Sequence, residues 1–369
     1  MKINEFKALL EKKNADFAIF YNLNSTKTNP NMFYFSGYKG LGALIIPKKQ
    51  LSFLIVPEME FQRAKFDFTI TSLSQISKKS MIKKIYSMEK KKFFESIYKI
   101  VRKNKLKTGK IAIDKNNFTL NSYKNFKKQF KKFKVKDIYM DCLKLREIKT
   151  EKEIQFLKKS CNYADKIIQK ALKNFKRFKT ESEASAFLEY ETKKLGLEPS
   201  FNPIVASGSN GSMPHHEPSN TKIKRGFCVV DFGIKYKGYC SDITRTIYVG
   251  NPRKKEKEIY NLLLTIQKNT ITQIKNNKKC SELYEFVNKN LGKYKKYFVH
   301  GLGHGVGIEI HELPNLTLNS KDRIKNNMVF TIEPGIYFPR KFGIRIEDTI
   351  LFKDKAEILT KTSKDLITI

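Results

Sequence analysis

The chain has 369 residues, of which 40% are hydrophobic, and its 73 Lys and Arg residues outnumber 36 Asp and Glu residues to give a net charge of +37. This length allows two domains of ordinary size, and the apolar content is sufficient for a buried core. No apolar run approaches the roughly 18–20 residues that a membrane-spanning helix needs, and residues 1–20 have no signal-peptide pattern. We therefore expect no membrane association.

Five cysteines are present in the chain, and they are Cys142, Cys161, Cys228, Cys240 and Cys280. Their odd number and the absence of any CxxC pair argue against a disulfide framework or a zinc knuckle. A reducing compartment fits this pattern, so the expected location is cytoplasmic.

Positive charge is densest in residues 78–136, which contain 21 Lys or Arg residues but only three acidic residues. Such a stretch can attract nucleic acid or another polyanion. The lysines are scattered, however, and they are not grouped with aromatic residues into a recognisable motif. We therefore favour solvated, lysine-rich helix faces over specific nucleic-acid binding.

The first part of the chain alternates strand-like and helix-like segments after a short amphipathic helix at the N-terminus. The predicted strands are residues 17–21, 42–46, 51–56 and 111–113, and the predicted helices are residues 58–65, 91–103 and 122–133. This region is expected to be an α/β domain, and it contains no histidine.

A boundary is predicted at residues 141–149, which divides the chain into domains of residues 1–141 and 142–369. Thr150 with Glu153, and Thr180 with Glu183, form capping-box patterns that begin two helices. Hairpin-like strands follow Phe201, together with helices at residues 256–275 and 281–291. The second domain is therefore expected to be of the α+β class.

All five histidines lie in two short segments that are flanked by Gly or Pro. The segments are Met213-Pro-His-His-Glu217 and Val299-His-Gly-Leu-Gly-His-Gly-Val-Gly-Ile-Glu-Ile-His-Glu312. This clustering favours a functional site, because histidine is the commonest metal ligand.

Acidic residues interrupt apolar strands, where an unpaired charge is costly. A turn at residues 235–238 would bring Asp231 nearly opposite Asp242, although an ion pair between Asp231 and Arg245 is an alternative. A second return at residues 339–342 would bring Glu333 and Glu347 together. Arg345 shares a strand face with Glu347, which fits either a local ion pair or a role near substrate.

Four acids crowded at one point repel one another unless cations lie among them. Oxygen-rich ligation with an imidazole suits Mn²⁺, Co²⁺, Fe²⁺ or Zn²⁺. Two such ions, about 3.5–4 Å apart, can share a bridging hydroxide as nucleophile. The sequence therefore predicts a dinuclear hydrolase.

The segments together resemble the pita-bread metallopeptidases, which include methionine aminopeptidases, Xaa-Pro aminopeptidases and prolidases. The motifs that carry the resemblance are Pro214-His-His216, Val230-Asp-Phe-Gly233, Gly238-Tyr-Cys-Ser-Asp-Ile-Thr-Arg-Thr246, His300-Gly-Leu-Gly-His-Gly305, Ile310-His-Glu312, Ile332-Glu-Pro-Gly-Ile-Tyr337 and Gly343-Ile-Arg-Ile-Glu-Asp348. They come in the family's order and span the chain from about residue 200 to its end.

The resemblance implies a role for each site residue. The implied metal ligands are Asp231, Asp242, His304, Glu333 and Glu347, with Asp242 and Glu347 bridging the two ions. Glu333 is also the implied base for the nucleophilic water, and His215 and His311 are implied to act near the scissile amide. His300 and Arg345 match substrate-binding positions of the proline-specific branch, and Thr244 matches a position that hydrogen-bonds a ligand carboxylate. His216 has no implied role and is expected to be structural.

Residues 1–141 more weakly resemble the creatinase-type N-terminal domain of the proline-specific branch, through Asn31-Met-Phe-Tyr-Phe-Ser-Gly37 and the strands that follow. The resemblance implies a creatinase-like α/β domain followed by a pita-bread catalytic domain, and a homodimer. It also implies hydrolysis of Xaa-Pro bonds, in dipeptides or at peptide N-termini, with two divalent ions, Mn²⁺ or Co²⁺ before Fe²⁺ or Zn²⁺.

Dipeptidase and aminopeptidase activities both remain open at this point, and the short chain slightly favours the dipeptidase. Methionine aminopeptidase activity is less favoured, because short enzymes of that type lack the N-terminal domain. A non-catalytic pita-bread scaffold that binds nucleic acid or protein is the alternative from another class. Such scaffolds typically lose metal ligands, whereas all five ligand positions are intact here.

Overall fold

The computed structural model describes residues 2–24, 28–73, 82–106 and 109–369. The chain forms two compact units, Met1–Leu145 and Arg146–Ile369. Residues 78–81 and 107–108 of the predicted basic stretch lie outside the described ranges. Within those ranges, every helix is too short or too polar to cross a membrane.

The first unit alternates helices with strands along the chain. In order, they are α1 (Ile3–Lys12), β1 (Phe17–Asn22), α2 (Pro30–Ser36), β2 (Gly42–Pro47), β3 (Ser52–Pro57), α3 (Phe61–Leu73), β4 (Ile82–Met88), α4 (Phe93–Lys103), β5 (Lys110–Ile113), α5 (Leu120–Gln129), β6 (Lys134–Asp137) and α6 (Tyr139–Glu147). The predicted domain boundary at residues 141–142 lies inside α6. The division of the chain into compact units falls between Leu145 and Arg146.

The strands of the first unit form one mixed sheet in the order β4-β3-β2-β1-β5-β6. Phe93, Phe94, Ile97 and Val101 are buried at helical spacing on α4, and this face packs in an aromatic-rich core with the sheet strands. The predicted strands at β1, β2, β3 and β5 are confirmed to within about one residue. The sequence analysis did not predict β4 or β6. The β6 residues Lys-Val-Lys-Asp are mostly exposed and lack an apolar alternation.

The second unit begins with two helices and continues mainly with strands. In order, its elements are α7 (Glu151–Asn174), α8 (Glu181–Lys194), β7 (Glu198–Pro199), β8 (Ile204–Ser207), β9 (Gly226–Phe232), β10 (Ile234–Tyr236), β11 (Tyr239–Cys240), β12 (Ile243–Val249), α9 (Lys254–Thr272), α10 (Cys280–Asn290), β13 (Gly303–Gly305), β14 (Glu312–Leu316), β15 (Met328–Ile332), β16 (Gly335–Phe338), β17 (Phe342–Arg345), β18 (Asp348–Lys353) and β19 (Lys355–Ile358).

The two predicted helix caps both form, with one difference. Thr150 and Glu153 make the complete capping box at the start of α7. Thr180 Oγ1 accepts from the backbone N–H of Glu183 (3.2 Å), but the Glu183 carboxylate accepts from the N–H of Lys179 rather than Thr180. The reciprocal bond of this second box is therefore shifted by one residue toward the N-terminus.

Asp231 and Asp242 lie on one long, interrupted hairpin. The turn between strands β10 and β11 is formed by Lys237 and Gly238, whose φ angles are +52° and +84°. The same register continues into β9 and β12, where Asp231 pairs with Thr244. Asp231 is thus diagonal to Asp242 rather than directly opposite it.

Glu333 and Glu347 lie on a second interrupted hairpin. Gly335 pairs with Arg345 in β16–β17, and Ile332 pairs with Asp348 in β15–β18. The constant register places Glu333 and Glu347 across from each other, where both strands are broken. This placement agrees with the turn that was predicted at residues 339–342.

Candidate metal centre

A cavity of about 340 Å³ lies within the second unit and is lined by every predicted site residue. These residues are Asp231, Asp242, His304, Glu333, Glu347, His215, His300, His311 and Arg345. Phe201, Ile204, Pro214 and Ile310 add an apolar part to the wall. The structure thus brings together two histidine segments and two acidic hairpins that are far apart in sequence.

Breaks in the strands position most of the acids. Asp242 lies between β11 and β12, Glu333 lies between β15 and β16, and Glu347 lies between β17 and β18. Asp231 projects from β9, and His304 is the central residue of the short strand β13. At a break, a residue leaves the strict alternation of a strand, so neighbouring hairpins can aim their carboxylates at one point.

Ligand atoms converge on a small volume between these elements. Asp242, His304 and Glu347 each offer an atom within 4.8 Å of the others. His304 Nε2 is 3.5 Å from Asp242 Oδ2 and 3.4 Å from Glu333 Oε1. One imidazole among several carboxylates is a donor set suited to divalent first-row metals.

The electrostatics of the cavity also fit bound cations. Burial, and then repulsion from neighbouring carboxylates, raise the pKa of Asp242 and that of Glu347 well above their ordinary values. Burial likewise raises the pKa of Glu333. Asp231 Oδ1 is buried and has no hydrogen-bond partner among the described residues. A divalent ion would relieve the repulsion and supply the partner that Asp231 Oδ1 lacks.

His304 has the form that a metal ligand needs. Its Nδ1 is 3.1 Å from the carbonyl oxygen of Gly305, so Nδ1 carries the proton and donates it. Nε2, which faces the carboxylates, then offers a lone pair. Burial lowers the pKa of His304, and this favours the neutral imidazole.

Hydrogen bonds around the ligands hold the carboxylates in place. Thr244 Oγ1 donates to Glu347 Oε2 at 2.6 Å, which confirms the predicted hydrogen bond between this threonine and one of the carboxylates predicted to bind metal. Arg345 donates from one nitrogen to Asp231 Oδ2 (2.6 Å) and from another to the Tyr337 hydroxyl (2.6 Å).

This chain of hydrogen bonds extends from Tyr337 to His300. His300 Nδ1 is 2.7 Å from the Gly301 carbonyl, so it donates there, and Nε2 accepts from the Tyr337 hydroxyl at 3.0 Å. Burial lowers the pKa of His300, consistent with a neutral ring. Asp231 is therefore linked to His300 through Arg345 and Tyr337.

The alternative ion pair between Asp231 and Arg245 is wrong. Arg245 is buried and pairs with Asp348 at 2.8 Å, on the far side of the strand from the cavity residue Glu347. The pairing partner of Asp231 is Arg345, which also lines the cavity. The two interpretations of Arg345, a local ion pair and a role at the site, are thus compatible.

The remaining histidines differ in their surroundings. His215 is exposed on the cavity wall. The ring centroids of His311 and His304 are 4.3 Å apart, and the rings are arranged edge to face. His216 instead contacts the buried Glu181 carboxylate at 2.8 Å. This contact fits the expectation of a structural role for His216.

Sequence reasoning did not single out Tyr337 or Glu181. Tyr337 and Arg345 lie two residues apart in register on β16–β17, so their spacing on a predicted hairpin was an available signal for Tyr337. Glu181 carried no such signal, because an acid at the first position of a helix is common without any further role.

A buried group of carboxylates around an imidazole, inside a cavity with further histidines, is a donor set that divalent metal ions of hydrolases use. Residues 155–354 match the model of Metallopeptidase family M24, and residues 2–148 match that of the Creatinase/Prolidase N-terminal domain. The chain belongs to metallopeptidase family M24, with a Creatinase/Prolidase N-terminal domain preceding a pita-bread catalytic domain.

Relatives and solved structures cover nearly the whole chain. A Xaa-Pro dipeptidase of Pyrococcus furiosus is 38% identical over 348 residues, which are 91% of this chain and 92% of that protein. The prolidase of Pyrococcus horikoshii has a TM-score of 0.86 at 32% identity over 99% of both chains. The X-Pro aminopeptidase of Thermotoga maritima has a TM-score of 0.84 at 28% identity, over 96% of this chain and 98% of that one.

Proposed function

We propose that this protein is a dinuclear metallo-exopeptidase that hydrolyses Xaa-Pro bonds. The observation that carries the proposal is the single cavity in which both acidic hairpins and both histidine segments meet. The identity to a Xaa-Pro dipeptidase over 91% of the chain supports the proline specificity. The scaffold alternative is not favoured, because all of the predicted ligands face this cavity.

Two divalent ions, Mn²⁺ or Co²⁺ before Fe²⁺ or Zn²⁺, are proposed to be bound by Asp231, Asp242, His304, Glu333 and Glu347. When bound, such ions lower the pKa of a coordinated water toward about 7 and polarise the substrate carbonyl. Asp242 and Glu347 would be the ligands shared by the two ions, and the Thr244 hydroxyl orients the Glu347 carboxylate.

The protein's own groups are proposed to handle the protons and the developing charge. Glu333 Oε1 lies 3.4 Å from His304 Nε2. Glu333 is proposed to accept a proton from the nucleophilic water. His215 and His311 line the same cavity and act at the scissile amide, by stabilising the tetrahedral intermediate or by proton transfer. His300 and Arg345 are proposed to bind the substrate.

Proline suits such a pocket because its ring fixes the local backbone and its amide lacks an N–H. Both dipeptides and longer peptides with proline second remain candidate substrates, and we favour dipeptides. The solved structures of similar fold include a prolidase and an X-Pro aminopeptidase, so the fold alone does not separate these two activities.

Three further properties are proposed from the sequence. We expect a homodimer, which the mass in solution tests. We expect a cytoplasmic location, which subcellular fractionation tests. The five cysteines are buried as free thiols, a state that suits a reducing compartment. Specific nucleic-acid binding is not expected, and salt-dependent retention on duplex DNA would then reflect net charge alone.

The proposal is tested with Xaa-Pro dipeptides, Xaa-Pro-Yaa tripeptides and Met-Ala peptides, each assayed with Mn²⁺, Co²⁺, Fe²⁺ or Zn²⁺. We expect release of the residue before proline, and no turnover of Met-Ala peptides. Asp242→Ala should abolish the metal-dependent reaction. A wild-type protein that hydrolyses no Xaa-Pro peptide with any of these ions would refute the proposal.

A further inference from the structure

The segment that carries His215 to the cavity is irregular. It leaves β8 at Ser207, passes through the 3₁₀ turn Gly208–Ser212, and continues without a regular strand to Ser219. Strand pairing therefore does not fix the position of His215. The segment has turn hydrogen bonds of its own, from Met213 N–H to the Asn210 carbonyl (3.0 Å) and from His216 N–H to the Met213 carbonyl (3.2 Å). Contacts from outside the segment hold these turns against the rest of the unit.

Glu181, the first residue of α8, supplies such contacts from a fully buried position. Its Oε1 accepts from the backbone N–H of Ser207 (2.7 Å) and from Asn210 Nδ2 (3.0 Å). Its Oε2 lies 2.8 Å from His216 Nε2 and 3.3 Å from Ser219 Oγ. One carboxylate thus contacts the start, the middle and the end of the segment.

The groups around this carboxylate determine the direction of the bonds. The backbone N–H of Ser207 and the amide of Asn210 both donate to Glu181, which acts as the acceptor of this cluster. His216 Nε2 then carries the proton and donates it to Oε2. The residue next to His215 in sequence is therefore held by a hydrogen bond to a fully buried carboxylate.

The segment also packs against the hairpin β16–β17. Arg345 donates to the carbonyl oxygen of Pro214 at 3.3 Å, while its other donors contact Asp231 and Tyr337. A Cβ atom added at Gly343 would lie 1.8 Å from the carbonyl oxygen of Gly211, so the two backbones are in direct contact. The segment is thus held by contacts both with Glu181 and with the hairpin.

We propose that Glu181 and His216 are positioning residues that hold His215 in its working orientation. The inference rests on the proposed peptidase function, in which His215 acts at the scissile amide. Glu181 and His216 are not among the described residues that line the cavity, so any effect they have on catalysis passes through their neighbours. Holding a group near its reactive geometry accounts for large rate effects, and a displacement of about 1 Å can cost about a hundredfold.

The test is a double-mutant cycle on proline release from a Xaa-Pro dipeptide, with Mn²⁺, using wild type, His216→Ala, His215→Ala and the double variant. We expect His216→Ala to lower kcat about tenfold to a hundredfold with little change in KM. In the His215→Ala background, the same substitution should lower kcat by less than about twofold, because the group it positions is already absent.

Glu217→Ala is the matched control, since Glu217 is the exposed neighbour of His216 in the same segment. It should leave kcat and KM unchanged. Calorimetric titration with Mn²⁺ should give the same affinity for wild type and His216→Ala, because His216 contacts Glu181 and not a proposed ligand. His216→Gln, whose amide can still donate to Glu181, should recover part of the lost kcat.

A general structural role predicts different results. If His216→Ala lowers kcat by the same factor with and without His215, the positioning role is refuted. If His216→Ala does not fold at the assay temperature, the cycle is run with His216→Gln and Asn210→Ala, and additive losses in both would again refute it. A wild-type protein without Xaa-Pro activity would refute the proposed function, whereas an active wild type with an additive cycle would refute only the positioning role.

Discussion

Asp231 and Thr244 illustrate how single residues shape the centre. Asp231 lies in an otherwise apolar strand, and one of its oxygens is paired with Arg345 while the other has no hydrogen-bond partner among the described residues. Thr244, opposite it in register, directs its hydroxyl to Glu347. The side chains beside the proposed ligands are therefore as specific in their placement as the proposed ligands themselves.

Thr244→Val tests this placement. The substitution keeps the shape of the side chain but removes the donor to Glu347 and the acceptor for Arg345. We expect a loss of about 10–100-fold in Mn²⁺ affinity or in kcat/KM, which is the usual cost of removing such a partner. Calorimetry and a proline-release assay measure the two quantities.

Thr192→Val is the control for this prediction. The Thr192 hydroxyl is also buried, and it bonds the Leu188 carbonyl at 2.7 Å within α8. Its replacement should change the melting temperature without changing metal affinity. Equal losses of metal affinity in the two variants would mean that the Thr244 hydrogen bond has no particular role at the centre.

The buried acids and clustered histidines could be predicted from the sequence. A charge inside an apolar strand is costly unless it is paired or bound to a metal, so such a residue indicates a site. The pairing partners were harder to predict. Arg245 follows Asp242 by three residues and Arg345 precedes Glu347 by two. Only the strand register shows that Arg245 instead pairs with Asp348 and Arg345 with Asp231. Register depends on long-range pairing, which the local pattern does not determine.

At the scale of elements, two interrupted hairpins place the acids. The turn at Lys237 and Gly238 was predictable from its composition, and the register that follows from it is continuous from β11 to β12. The strand breaks at Asp242, Glu333 and Glu347 were not predictable, because they arise where the sheets diverge around the cavity. In the first unit, β6 was missed for a related reason, since its polar residues acquire strand geometry only by pairing with β5.

Close backbone contact between β17 and the His215 segment gives a prediction at this scale. In Gly343→Ala, the new methyl group would lie 1.8 Å from the carbonyl oxygen of Gly211, so one backbone must move. We expect destabilisation of about 1–3 kcal/mol, as for other overpacked sites. We also expect a fall in kcat, because the same segment carries His215. Thermal unfolding and the proline-release assay measure these effects.

Gly196→Asn is the comparison for Gly343→Ala. Gly196 follows α8 with a φ of +68°, and a Cβ atom there would meet nothing within 4 Å. Asparagine tolerates this backbone conformation, so the variant should retain stability and activity. If Gly343→Ala behaves like Gly196→Asn, the contact between β17 and the segment does not constrain the site.

For the whole molecule, metal binding and folding should be linked. Burial and mutual repulsion raise the pKa of Asp242 and Glu347 in the metal-free protein. A carboxyl whose pKa is raised on folding contributes stability below its unfolded pKa of about 4, and this contribution is lost as the pH rises through the folded value. Cations remove the repulsion, so their stabilising effect should grow over the same range.

We therefore expect Mn²⁺ to raise the melting temperature more at about pH 8 than at about pH 5, since ligand binding requires deprotonated carboxylates. At a hundredfold excess over the dissociation constant, the rise should be about 5–10 °C. Differential scanning calorimetry across this pH range measures it. Asp242→Ala should show a much smaller response, and a shift that decreases with rising pH would contradict the linkage.

Two metal ions in one cavity are proposed to make this chain a Xaa-Pro peptidase. The most direct test titrates the metal-free protein with Mn²⁺ while bound metal and proline release from a Xaa-Pro dipeptide are measured on the same samples. We expect activity to be absent without metal and to reach its maximum as the second ion binds each chain. Full activity in the metal-free protein, or two bound ions without any proline release, would contradict it.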